Sequence, residues 1–184
     1  MMKIKEVLPV LEKLGWLCGQ DEAGDYFCLI DVDGSQVQII PSIGKRSDHF
    51  RVSLMASVTS KKFTAAAEFI LGEAGDHEPV IVRNDVPEKI VDFSMSEIVR
   101  LSQDAILWAR AQDLEKELAT YRTLPTDAKG AMPLRHLAAL AVAGQVERLT
   151  TYKISFEQGD RLEFVPYITL DMIDRALLIA RGVV

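Results

Sequence analysis

The sequence is poor in the residues from which most catalytic and metal sites are built. Its 184 residues include two cysteines and three histidines, and the histidines are scattered rather than spaced as zinc ligands are. The glycine patterns of phosphate loops, dinucleotide-binding folds and nucleophile elbows are also missing. The sequence therefore predicts no catalytic residue, no metal ion and no cofactor.

Long apolar runs and targeting segments are absent as well. No stretch approaches ~18 consecutive apolar residues, so no membrane span is expected. The opening MMKIKEVLPVLEKLGW has no uninterrupted apolar region and no small-residue cleavage site of the kind that marks a signal peptide. Cys18 and Cys28 fall short of a disulfide framework. We therefore expect a cytoplasmic protein in which both thiols are small core residues.

Composition points to a globular, acidic protein. Lys and Arg total 21 against 27 Asp and Glu, which gives a net charge of -6 and repels a phosphate backbone overall. Nucleic acid is therefore not an expected partner. The basic residues next to His49, which are Lys45, Arg46 and Arg51, are interpreted as part of a solvated loop. The apolar share of 48% is enough to bury a core.

The stretch LIDVDGSQV, residues 29–37, is either an acidic metal loop or a tight turn. Its Asp33-Gly34 pair lies between two runs of β-forming residues, which favours a two-residue hairpin. The turn predicts this register: Val32 opposite Ser35, Ile30 opposite Val37 and Cys28 opposite Ile39. A calcium loop would need further oxygen ligands and a closing glutamate, and the sequence lacks them. The stretch therefore predicts a hairpin and no metal site.

Apolar periodicity predicts the remaining elements. The helices are one ending at Gly15, one from Ser60 to Gly72, a long one from Ser94, a short one with Pro133 in its first turn, and one starting at Thr169. The further strands are residues 50–58, PVIVR, KIVDF, and a second hairpin made by YKISFE and RLEFVPYI. We expect an α+β fold with helices packed on one face of an antiparallel sheet, plus a C-terminal helix-hairpin-helix extension.

The long helix predicted from Ser94 changes its apolar face halfway along. Its second stripe contains Leu107, Ala111, Leu114 and Leu118. This stripe predicts a seam, either with a second copy of the chain in a homodimer or with the C-terminal segment. The sequence accordingly divides into an α+β domain over residues 1–122 and a subdomain over residues 128–184, which could also pack as one globule.

The order of elements over residues 1–122, together with the size and acidity of the chain, resembles the small acidic bacterial proteins typified by type III secretion chaperones. The resemblance implies an α+β fold that dimerises, has no catalytic residues and binds an extended segment of a secreted protein on apolar sheet patches. The segment from Pro125 to Val184 departs from that pattern.

Two functions follow as alternatives. The first is a protein-binding module, with Phe27, Leu29 and Ile40 on the hairpin face opposite Cys28 as the partner-binding residues. The second is a small enzyme or small-molecule binder whose pocket lies between the two hairpin layers. Its predicted lining residues are Tyr152, Arg161 and Tyr167.

Overall fold

A computed structural model describes residues 4–73 and 77–184 of the chain. In these ranges the first part of the chain contains α1 (Ile4–Lys13), β1 (Leu17–Gln20), β2 (Tyr26–Val32), β3 (Ser35–Lys45), β4 (Phe50–Ser60), α2 (Lys61–Leu71), β5 (Ile81–Val82) and β6 (Glu88–Ile90). The rest contains α3 (Met95–Arg110), α4 (Leu114–Arg122), α5 (Met132–Val142), α6 (Val146–Glu157) and α7 (Leu170–Ala180). The predicted α+β class is confirmed. None of the helices described is long and apolar enough to cross a membrane.

The strands form one sheet in the order β1-β2-β3-β4-β5, and β6 also pairs with β4. The first hairpin has the register that the sequence predicts, with Ile30 opposite Val37 and Cys28 opposite Ile39. Asp33 and Gly34 both have positive φ angles, of 50° and 84°, as a two-residue hairpin turn requires. Turn chemistry and strand period agree here, and together they fix the pairing.

Cys18 and Cys28 form a disulfide, so the prediction of two free core thiols is wrong. The error follows from β1, a four-residue strand that the sequence does not predict. β1 pairs antiparallel with β2 and places Cys18 directly opposite Cys28. Two cysteines side by side on neighbouring strands are close enough to bond, with a Cα–Cα distance of 4.0 Å.

The described chain packs as two compact units, and their membership differs from the predicted domains. The first unit contains the described residues of Met1–Thr59 and Pro79–Gln112, and the second those of Ser60–Glu78 and Asp113–Val184. Helices α2 and α4, which the predicted 1–122 domain includes, therefore belong to the second unit. Sequence order suggested one boundary near residue 125, but helices distant in sequence pack together.

In the first unit, α1 and α3 pack on each other and on β3. Their contact buries Val7, Leu11, Ile98 and Leu101, and the sheet face beneath them buries Cys28, Val37 and Ile39. Trp16 follows α1, and its indole N–H donates a 2.8 Å hydrogen bond to the hydroxyl of Ser102 on α3.

The second unit is a bundle around α5, which contacts α2, α4, α6 and α7. Helix α5 is apolar on nearly every side, as expected for a helix at the centre of a bundle. The predicted start of α2 at Ser60 is confirmed, because the Ser60 hydroxyl caps the helix by accepting from the Phe63 N–H. The predicted start of α7 at Thr169 is confirmed in the same way, because the Thr169 hydroxyl accepts from the Met172 N–H.

The prediction of a second hairpin is wrong, because YKISFE lies inside α6. Its alternating Tyr152, Ile154 and Phe156 suggested a strand, but Leu149 and Tyr152 are buried at helical spacing while Ile154 is 48% exposed. RLEFVPYI forms turns, with positive φ angles at Leu162 and Glu163. The C-terminal extension is therefore helical.

The prediction of a single long helix from Ser94 is also wrong, because this segment forms two helices, α3 and α4. The break lies at Gln112 and Asp113, and the Asp113 carboxylate caps α4 by accepting from the Lys116 N–H at 3.0 Å. The predicted second stripe is therefore divided, with Leu107 and Ala111 in the first unit and Leu114 and Leu118 in the second.

Candidate functional site

The outward face of the first hairpin carries an apolar patch. Phe27 and Leu29 alternate with the buried Cys28, and Ile40 follows the buried Ile39, so these three side chains point away from α1 and α3. All three are half-buried. The structure thus brings the three predicted partner-binding residues onto one side of the sheet.

β1 adds a fourth apolar residue that the sequence analysis missed. Leu17 lies directly opposite Leu29 and is 77% exposed. Residues opposite each other on antiparallel strands project from the same face, so the two leucines are neighbours. We call Leu17, Phe27, Leu29 and Ile40 the outer patch.

Gly19 shapes this patch. It pairs with Phe27, and a Cβ built on Gly19 would lie 3.0 Å from the tip of the Phe27 ring. The ring therefore lies close against β1 at Gly19. A side chain at position 19 would therefore require the Phe27 ring to shift by a few tenths of an ångström.

The outer patch borders a free sheet edge. β1 is the last strand of the sheet, and within the described ranges no strand pairs with its other side. An unpaired edge offers backbone N–H and C=O groups to an added strand. Such a strand would run beside Leu17, the most exposed member of the patch.

Acidic residues lie at one end of this edge. Asp21, Glu22 and Asp25 form the exposed turn between β1 and β2. The turn is ordered by two bonds between Asp21 and Asp25, one between their backbones and one from the Asp25 N–H to the Asp21 carboxylate at 2.8 Å. The edge therefore ends in a fixed cluster of negative charge.

The predicted seam residues do not form one surface. Leu107 is 62% exposed on α3 and Ala111 follows the end of that helix, whereas Leu118 is buried in the second unit and Leu114 is half-buried there. The four residues therefore do not share one helix face, as the prediction required. A contact of Leu107 with a second copy stays a prediction.

The pocket predicted between two hairpin layers is wrong, because the second hairpin does not form. Tyr152 is buried on α6. Arg161 donates to the carbonyls of Val165, Pro166 and Ile168, and the Tyr167 hydroxyl donates to the carbonyl of Gly130 at 2.9 Å. Arg161 and Tyr167 hold backbone carbonyls in place rather than lining one cavity.

The buried His136 has a structural role. Its Nδ1 lies 2.8 Å from the Tyr121 carbonyl and must carry the proton, which leaves Nε2 to accept from the Tyr152 hydroxyl at 3.0 Å. That hydroxyl in turn accepts from Arg148 Nε at 2.8 Å. Every polar atom is therefore satisfied, and burial lowers the pKa of His136. The neutral ring therefore connects the Tyr121 carbonyl to the Tyr152 hydroxyl through hydrogen bonds.

Groups that could bind a metal ion or a metabolite are few. Within residues 4–73 and 77–184, no set of three or more His, Cys, Asp or Glu side chains is placed to hold a metal ion. A cavity of about 90 Å³ near His77 is well below the size of a typical ligand site. One of its carboxylates, that of Glu78, pairs with Arg135 at 2.7 Å.

An apolar groove in the second unit is larger, at about 480 Å³. Helix α2 contributes a stripe of Lys62, Ala65, Ala66 and Phe69. Residues at or after the last turns of α5 and α7 complete it: Ala141, Val142, Ile179 and Val184.

Comparisons with known proteins give a family without a described activity. No curated protein matches the chain, and no solved structure does. A family model described as a family of unknown function, DUF6990, matches residues 3–181. The match covers nearly the whole chain, so the chain belongs to the DUF6990 family.

Proposed function

We propose that the chain is a non-catalytic protein-binding module that holds an extended, apolar segment of a client protein on the outer patch and the β1 edge, in the manner of a secretion chaperone or adaptor. The observation that carries the proposal is the direct pairing of Leu17 with Leu29 at a free sheet edge. Apolar side chains and unpaired backbone groups lie side by side there, and a client strand needs both.

The acidic turn specifies the client further. An added strand would pass Asp21, Glu22 and Asp25 as it leaves the edge. Their three carboxylates favour a segment whose apolar residues are followed by lysine or arginine, and disfavour one that ends in acids. The client segment is therefore apolar in alternate positions and basic at one end.

A labelled synthetic peptide with alternating valines and two terminal lysines is the direct probe. Leu17→Asp should weaken its binding about tenfold or more, because one leucine side chain would lose its apolar contact. Val86→Asp is the matched control, since Val86 lies in the same unit, is equally exposed at 78% and lies outside the outer patch. Fluorescence anisotropy measures both affinities, and circular dichroism checks the fold.

Two results would contradict the proposal. One is equal binding by the Leu17→Asp and Val86→Asp variants, which would show that the peptide binds elsewhere. The other is a wild-type dimer in light scattering that becomes monomeric on Leu17→Asp substitution, which would assign the edge to a second copy. A peptide ending in two glutamates tests the acidic turn separately and should bind more weakly.

A further inference from the structure

The basic residues around His49 line a concavity of about 510 Å³ in the first unit. It lies where the turn between β3 and β4 meets β6. The residues that line it are Arg46, Ser47, Asp48, His49, Arg51, Pro87 and Lys89. The turn is closed by a 2.8 Å bond from the Arg46 N–H to the His49 carbonyl.

Two cations face each other across strands in this concavity. Arg51 on β4 pairs directly with Lys89 on β6, and both side chains are exposed. Like charges in directly opposite positions destabilise a sheet. The arrangement is therefore unfavourable for the empty protein and would be relieved by an anion bound between the two side chains.

One carboxylate offsets the cations in part. Asp48 Oδ1 lies 2.6 Å from His49 Nδ1, and Asp48 Oδ2 lies 3.9 Å from Lys89 Nζ. Neither Arg46 nor Arg51 forms an ion pair with any described residue. The lining thus contains three side chains with a permanent positive charge, Arg46, Arg51 and Lys89, and one carboxylate, that of Asp48.

Arg46 and Arg51 are not alone among the described arginines in lacking a carboxylate partner, since Arg148 and Arg161 donate instead to a tyrosine hydroxyl and to backbone carbonyls. Six other arginines pair with carboxylates: Arg83, Arg100, Arg110, Arg122, Arg135 and Arg175. Acidic side chains outnumber basic ones by 27 to 21, so partners are plentiful. Arg46 and Arg51 thus have no carboxylate partner at a place where the backbone also brings Lys89, although one Arg46 nitrogen donates to the Lys45 carbonyl at 3.4 Å.

We propose that this concavity binds a small phosphate-type oxyanion, such as pyrophosphate or the phosphate group of a small molecule. The planar guanidinium groups of Arg46 and Arg51 offer paired N–H donors that match phosphate oxygens, and Lys89 adds a point charge. The net charge of -6 disfavours a long polyanion, whose many phosphates would meet the rest of the surface.

Calorimetric titration of the full chain with pyrophosphate at constant ionic strength tests the site. Arg51→Gln should weaken binding about tenfold, which corresponds to the loss of one charge-assisted contact. Asp48→Asn should strengthen binding, because it removes the carboxylate that competes for the same cations. Lys13→Gln is the matched control, since it removes one exposed positive charge of the same unit outside the concavity.

Three results would overturn the site. If Lys13→Gln and Arg51→Gln weaken pyrophosphate binding equally, the binding is a general effect of net charge and not of this site. Unchanged or weaker binding by Asp48→Asn would exclude a role for the local charge balance. Tighter binding of heparin than of pyrophosphate at the same ionic strength would identify a polymer as the ligand. If Arg51→Gln fails to fold, Lys89→Gln provides the same measurement from β6.

Discussion

Cys18 and Cys28 lie opposite each other across β1 and β2 and are joined by a disulfide that closes a loop of ten residues. The bond ties the short edge strand to the hairpin at the position between the Leu17–Leu29 and Gly19–Phe27 pairs. It therefore fixes the strand that carries the most exposed residue of the outer patch.

Loss of this bond should loosen the first unit. A Cys18→Ser, Cys28→Ser double variant should be less stable by about 2–3 kcal/mol, because the unfolded chain is no longer closed by a short loop. Urea denaturation measures the difference. Wild-type protein in excess reductant is the control and should match the variant, and thiol titration of unreduced, unfolded wild type should find no free thiol.

The hydrogen bond between Trp16 and Ser102 joins two elements that are 86 residues apart, and both side chains are buried. Ser102→Ala should cost about 1–3 kcal/mol, because the indole N–H would be left without a partner. Gln103→Ala, at the exposed neighbouring position, should change stability by less than about 0.5 kcal/mol. Tryptophan fluorescence in a urea titration reports both, and equal effects would contradict the expected role of the bond.

Some features could be predicted from the sequence because their signals are local. The register of the first hairpin follows from Asp33-Gly34 and the strand period, and the ends of α2 and α7 follow from their capping residues. Phe27, Leu29 and Ile40 were found for the same reason, since strand alternation alone places them opposite Cys28 and Ile39.

Other features lacked a local signal or had an ambiguous one. β1 has four residues including a glycine, too few to show a period, so Leu17 was missed. The break before α4 contains neither glycine nor proline, and its signal is the Asp113 cap followed by two acids in the first turn. The division into units depends on packing between distant helices, which no local pattern encodes.

The burial of His136 makes the second unit sensitive to acid. Burial, the largest cause, and the nearby Arg148 hold the pKa of His136 below its ordinary value of 6.5, although the Tyr121 carbonyl raises it. The unfolded chain therefore binds a proton near pH 6.5 while the folded chain does not. Stability should be full above pH 6.5 and fall below it by up to about 1.4 kcal/mol per pH unit, until the folded pKa is reached.

Half-buried His77 adds to this loss, because desolvation lowers its pKa to about 4. Denaturation of wild type and of a His136→Gln variant between pH 7.5 and about pH 4 measures the slope. The variant should be less stable at pH 7.5 but lose less stability as the pH falls. Parallel curves for the two proteins would show that His136 does not carry the effect.

Gly72 and Gly159 end helices in the same left-handed conformation, with φ angles of 80° and 84°, but in different surroundings. A Cβ at Gly159 would meet no heavy atom within 4 Å, whereas one at Gly72 would clash with the guanidinium of Arg175. The Arg175 guanidinium donates to the Phe69 carbonyl at 3.3 Å and forms an ion pair with Asp171 at 2.8 Å.

Alanine at either glycine should cost about 1–2 kcal/mol for the left-handed backbone. Gly72→Ala should cost about 0.5–1 kcal/mol more, since Arg175 must give up its hydrogen bond and its partly exposed ion pair. Urea denaturation of both variants in the wild-type and Arg175→Ala backgrounds isolates this excess. The excess should vanish in the Arg175→Ala background, because no guanidinium remains to be displaced, and its persistence there would assign the cost to the backbone at position 72.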